Sequence, residues 1–175
     1  MTTQADTPTP TPTATGTAVT RTARPVPADV LDELRRADDA GRPPVPVTDE
    51  EGGAPLRCCL RRSEPGESIV LVSYAPLRRW AAATGADPGP YDEQGPVFVH
   101  ARECAGPAGE ELPFTGARRV VRRYSAAGHI LGGRLVEDPG GFGAAFAEAF
   151  ADPEVSLVHV RAVEYGCFLY EVRRG

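Results

Sequence analysis

The stretch Val155 to Arg173, reading VSLVHVRAVEYGCFLYEVR, constrains this chain most, because it puts most of its candidate chemistry beside a strand-turn-strand signal. Val155 to Arg161 is β-branched and apolar with a period of two, and Cys167 to Arg173 alternates in the same way. Together they predict an antiparallel hairpin turned at Tyr165-Gly166. On the first strand Val155, Leu157, His159 and Arg161 share one face, while Ser156, Val158, Val160 and Ala162 share the other. A His and an Arg two residues apart at the end of a buried strand are placed to meet something polar, and a desolvated imidazole can be tuned near neutral pH. The plainer reading is a packed His beside a surface Arg.

The pairing register decides what joins them. If opposed residue numbers sum to an even value, His159 and Arg161 share a face with Cys167, Leu169 and Glu171. If the sum is odd, His159 faces Phe168 and Tyr170, and Cys167 turns away. A slip of one residue exchanges the two faces, and loops of three or four residues both fit around Tyr165-Gly166.

At 175 residues, 41% of them hydrophobic, the chain is long enough for one domain with a real core and short for two. A net charge of -5 argues against a nucleic-acid binder, which normally carries a basic footprint. All 19 basic residues are Arg, and neither Lys nor Asn occurs. The abundance of Ala, Arg, Gly and Pro points to a bacterial genome of high GC content. The lack of Lys excludes Schiff-base chemistry and a phosphate-binding lysine. No leader pattern and no apolar run approaching the roughly 18 residues of a spanning helix is present, so a cytoplasmic protein without a membrane partner is expected. There Cys58, Cys59, Cys104 and Cys167 would be reduced thiols.

Residues 1–24 form a Thr- and Pro-rich tail with too little apolar surface to offset the entropy of ordering, and disorder is expected there. The single domain is expected over 25–175. Pro27 to Ala40 has the spacing of a helix, with acids early and Arg35 and Arg36 late. Strands are expected at Ser68 to Tyr74, Pro96 to Ala101, Arg118 to Tyr124 and His129 to Val136. Asp138-Pro139-Gly140 opens a second short helix, in which Phe142, Phe146 and Phe150 recur every four residues as a core stripe. Strands dominate and connections are short. The pattern predicts an α+β domain with a mostly antiparallel sheet and two short helices.

Three blocks carry a resemblance. They are Cys58-Cys59-Leu60 with the Gly66-Glu67 turn and the strand ending at Tyr74; Pro90-Tyr91 with the run Gly95 to His100 and Cys104 close behind; and His159 to Arg161 with Tyr165 to Cys167. Over about Pro55 to Arg173 they resemble the bacterial family known as domain of unknown function 1203. The resemblance implies a small soluble bacterial protein and brings no activity, cofactor or catalytic residue. The doubled cysteine departs from the family pattern.

Four kinds of site are weighed. A thiol nucleophile needs a base or positive charge beside it: Cys104 follows His100 by four residues and Cys167 follows His159 by eight, which names Cys167, His159, His100 and Cys104 as catalytic candidates. Against this, free cysteine usually packs as a small hydrophobe. For metal, the cysteines and histidines would suffice as ligands in number. Without Cys-x-x-Cys or His-x-x-x-His, and with adjacent cysteines that seldom both reach one ion, no metal ligand is assigned and no cofactor is expected. For a small polar or anionic ligand, the arginines of the strand at 118–123 offer forks suited to carboxylate or phosphate. Arg161, Tyr165, Arg122 and Tyr124 are the binding candidates, although such arginines usually pair with surface acids. The fourth is an interaction module without chemistry, whose edge strand accepts a partner strand. The favoured expectation is one polar pocket at the strand ends, where His100, Cys104, His159, Arg161, Tyr165 and Cys167 converge.

Overall fold

The computed structural model describes residues 22–174. Two antiparallel sheets organise it. The first, in order β1-β2-β3, uses Val47–Asp49, Glu67–Tyr74 and Gly95–His100; the second, in order β5-β4-β6-β7, uses Ile130–Val136, Arg119–Ser125, Val155–Ala162 and Phe168–Arg173. Three helices accompany them: α1 (Ala28–Leu34), α2 (Pro76–Thr84) and α3 (Phe142–Ala151). The fold class is α+β, as expected, with one helix more than the sequence reading and with α1 ending at Leu34 instead of Ala40.

The unforeseen helix has the usual punctuation. Pro76 stands at its start and Gly85, at φ 76°, closes it in the left-handed region. Leu77, Trp80 and Ala81 form its buried stripe. Of the tail expected over residues 1–24, residues 1–21 lie outside the described residues. Arg24, at the expected end of that tail, donates its backbone N–H to the Glu171 carbonyl on β7 (2.8 Å).

The two faces of the second sheet have different jobs. On one, Val121, Val158, Val160 and Val172 are buried against Phe142, Phe146 and Phe150 of α3. On the other, Tyr124 and Leu157 meet Leu77 and Trp80 of α2. Phe168 on β7 is buried among Val70, Val72, Val97 and Val99 of the first sheet, its ring edge-on to Tyr74 at 5.6 Å.

The C-terminal hairpin forms with even register from Leu157↔Arg173 to Val160↔Tyr170, so His159 stands opposite Glu171. The register then shifts, and Arg161 pairs with Phe168. Leu169 is thus the extra residue of a β-bulge, which re-aims the strand end. Cys167 is left in the turn, outside β7 and away from the His159–Glu171 pair.

Candidate functional site

Pairing between β4 and β6 sets Val120 opposite Arg161, Arg122 opposite His159 and Tyr124 opposite Leu157. Opposed residues share a face. Arg122, Tyr124, His159 and Arg161 therefore stand on the same face of the second sheet, the one turned toward α2 and Phe168. The Tyr165–Cys167 turn completes a cleft of about 330 Å³ lined by Tyr74, Glu93, Arg122, Arg161, Tyr165 and Cys167.

The centre of this cleft is cationic. Arg122 Nη1 lies 2.6 Å and Arg161 Nη1 2.7 Å from the same oxygen, Oε1 of Glu93. Two guanidinium groups thus share one carboxylate. Arg161 is held by its Nε–H, which donates to the Gly166 carbonyl (2.8 Å), while its buried Nη1 makes the ion contact without an aligned hydrogen bond. The Tyr124 hydroxyl is buried without a hydrogen-bond partner of good geometry, and Arg122 and Arg161 flank it; burial raises its pKa. Tyr165 is 88% exposed at the rim. Arg57 adds positive charge nearby: it is buried, its Nε–H donates to the Phe168 carbonyl (2.8 Å), and burial lowers its pKa to about 10, while Cys167 and Arg119 are the charges that act on it.

His100 and Cys104 do not join this cleft. Their neighbours are Cys58 and Cys59, and the ligand atoms of these four side chains all lie within 4.8 Å of one another. The expected convergence therefore divides into two places, with Arg161, Tyr165 and Cys167 at the arginine cleft beside buried His159, and His100 and Cys104 at a thiol cluster. Nor do Cys167 and His159 pair. The Cys167 thiol points to the Tyr165 carbonyl at 3.9 Å, and His159 packs between Tyr124 and Phe168 with ring centroids at 4.6 and 5.0 Å.

Local geometry brings the adjacent cysteines together. Leu60 N–H donates to the Leu56 carbonyl (2.9 Å), closing one tight turn with Cys58 and Cys59 at its centre. The chain leaves it through Leu60 at φ 58°, a conformation that costs a β-carbon residue of order 1 kcal/mol or more. The two Sγ atoms are 4.0 Å apart. Cys58 faces Cys59, and this contact lowers the pKa of the Cys59 thiol, with His100 and Arg61 adding to the effect; the same contact and burial push Cys58 up. This group was the part the sequence hid, since the spacing from 59 to 100 carries no local motif.

Residues 53–174 match the family described as "Protein of unknown function (DUF1203)". No curated protein and no solved structure matches the chain. The family match spans most of the chain and includes both clusters, and the chain belongs to this family.

Proposed function

We propose that the chain binds a small carboxylate-bearing ligand in the cleft between Arg122, Arg161, Tyr165 and Cys167. The observation that supports this most is the sharing of one Glu93 oxygen by two arginines. Two cations against one anion leave the cleft with an excess of one positive charge, and guanidinium forks suit planar carboxylates. Glu93 stands where a ligand carboxylate would stand. Its side chain is 43% exposed, so it can swing to solvent and yield its place.

The reading is one of recognition. Cys167 is the thiol at the cleft, but its nearest described partner is a carbonyl, which is no base. His159 is completely buried and has no hydrogen-bond partner, so it is out of reach for proton transfer to a ligand. The net charge of -5 supports a small-molecule partner over nucleic acid. Four free thiols support a reducing, cytoplasmic setting, and no helix among the described residues is long and apolar enough to cross a membrane.

A thermal-shift panel of small carboxylates and small amines tests the reading. A carboxylate that fits, present at about 100 times its Kd, should raise Tm by about 5–10 °C. Amines should not. Arg161→Leu should weaken binding by about 10- to 100-fold, the loss of a charge-assisted contact. Equal shifts from amines, or an Arg161→Leu protein that responds like the wild type, would remove the basis for the proposal.

A further inference from the structure

The second cluster has the geometry of a metal centre. A tetrahedral zinc ion with Zn–S of about 2.3 Å and Zn–N of about 2.0–2.1 Å sets its sulfurs about 3.8 Å apart and its sulfur and nitrogen about 3.6 Å apart. Here Cys58 Sγ and Cys59 Sγ are 4.0 Å apart, and His100 Nδ1 lies 3.3 Å from Cys58 Sγ and 3.8 Å from Cys59 Sγ. Three donors already stand at nearly the separations one ion would impose, and the Cys104 sulfur lies within 4.8 Å of each of them.

The thiols border the hydrophobic cluster of Leu56 and Val99, and polar groups face them from the other side. Glu67 Oε1 faces His100 Nε2 at 3.3 Å. Arg61 Nη2 also lies 3.4 Å from Nε2, but it donates at 2.6 Å to Glu67; with Nε2–H turned to the carboxylate, Nδ1 keeps the lone pair, and Nδ1 is the nitrogen that faces the sulfurs. A carboxylate behind a histidine in this way fixes the tautomer and orientation of a metal ligand. Arg61 in turn holds Glu67 through two contacts of 2.9 and 2.6 Å. Backbone N–H groups serve the sulfurs directly: that of His100 donates to Cys58 Sγ at 3.2 Å, and that of Arg61 donates to Cys59. The loop to Cys104 is pinned from the residue that follows α1, Arg35, which donates to the carbonyls of His100 (3.3 Å) and Arg102 (2.8 Å).

We propose that Cys58, Cys59, His100 and Cys104 bind one zinc-class divalent ion through three thiolates and the Nδ1 of His100. Three metal–sulfur bonds and one metal–nitrogen bond form, and the thiol protons pass to solvent. Soft thiolates with one imidazole in a tetrahedral set select zinc over magnesium or calcium, which prefer oxygen. Four protein donors leave no open position, the mark of a structural centre and not a catalytic one. Such an ion would cross-link the Leu56–Leu60 turn, the end of β3 and the 101–104 loop, and would hold Leu60 in its left-handed conformation.

Cobalt(II) titration of the full chain, after treatment with chelator and reductant, tests this. One cobalt per chain is expected, with thiolate charge-transfer absorption of three sulfurs, tetrahedral visible bands, and displacement by zinc. Cys104→Ser and His100→Gln should each lower affinity by more than the roughly 10- to 100-fold that changes behind a ligand cost, whereas Cys167→Ser should leave it unchanged. No stoichiometric binding, or wild-type affinity in Cys104→Ser, overturns the assignment. Should a variant fail to fold, the wild-type spectrum still decides, because fewer than three thiolates on the metal is incompatible with this site.

Discussion

Truncation of Phe146 to alanine is expected to lower the unfolding free energy by about 3–5 kcal/mol, the range for deleting a buried aromatic ring. Phe146 is 1% exposed and sits mid-helix on α3, with the Phe142 ring 6.1 Å away and Val121, Val158 and Val160 of the sheet in the same cluster. The sheet beneath is a rigid floor of β-branched residues, so it cannot collapse into the space, and the cavity term adds to the lost transfer energy. Urea denaturation with an unchanged slope would report the loss directly. A cost below about 1 kcal/mol would mean that α3 does not cover this face as described. The arginine cleft lies on the opposite face, so the folded fraction of the variant should still bind ligand.

Acid should destabilise the protein from near neutral pH, and His159 should be the cause. The side chain is fully buried with no hydrogen-bond partner on either nitrogen, and its nearest anion, Glu171 Oε2, is 3.7 Å away. Burial lowers its pKa, more than the Glu171 and Glu93 charges raise it, and Arg161 lowers it further. In the unfolded chain a histidine takes its proton near pH 6.5. The unfolded state therefore binds the proton first as pH falls. Stability is full above about 6.5 and declines below it, with a slope approaching about 1.4 kcal/mol per pH unit until the folded protein also protonates.

Glu171 acts in a separate and lower window. Burial alone would raise its pKa, but His159 and Arg173 outweigh it and lower the value. Its contribution is present above about 4.3, the unfolded carboxyl range, and is lost below. Unfolding free energy measured from pH 7 to 5 should thus fall in the wild type and flatten in His159→Gln. Parallel curves for the two proteins would assign the acid sensitivity elsewhere.

Periodicity of two and the Phe142, Phe146, Phe150 stripe made most strands and α3 legible, because those signals are local. The helix α2 carries an equally local signal, with Pro76 at its start, Leu77, Trp80 and Ala81 at helical spacing and Gly85 at its end. β1 carries three residues, two of them exposed, and offered no pattern. The pairing of Arg122 with His159 was hidden for another reason: it depends on register between strands more than 30 residues apart. The bulge at Leu169 decided that Cys167 leaves the sheet, and nothing in its composition announces a bulge. The thiol cluster depended on the Leu56–Leu60 turn meeting the end of β3 about 40 residues later, a contact that no local pattern marks.

The measurement that tests the carboxylate reading most directly is calorimetric titration of short mono- and dicarboxylates into the wild type and Glu93→Gln. If Glu93 occupies the place of the ligand, removing its charge should tighten carboxylate binding by about tenfold, equivalent to about 1.4 kcal/mol. Weaker binding in Glu93→Gln, or no carboxylate binding by either protein, would contradict a cleft built around Arg122 and Arg161 for an anionic ligand.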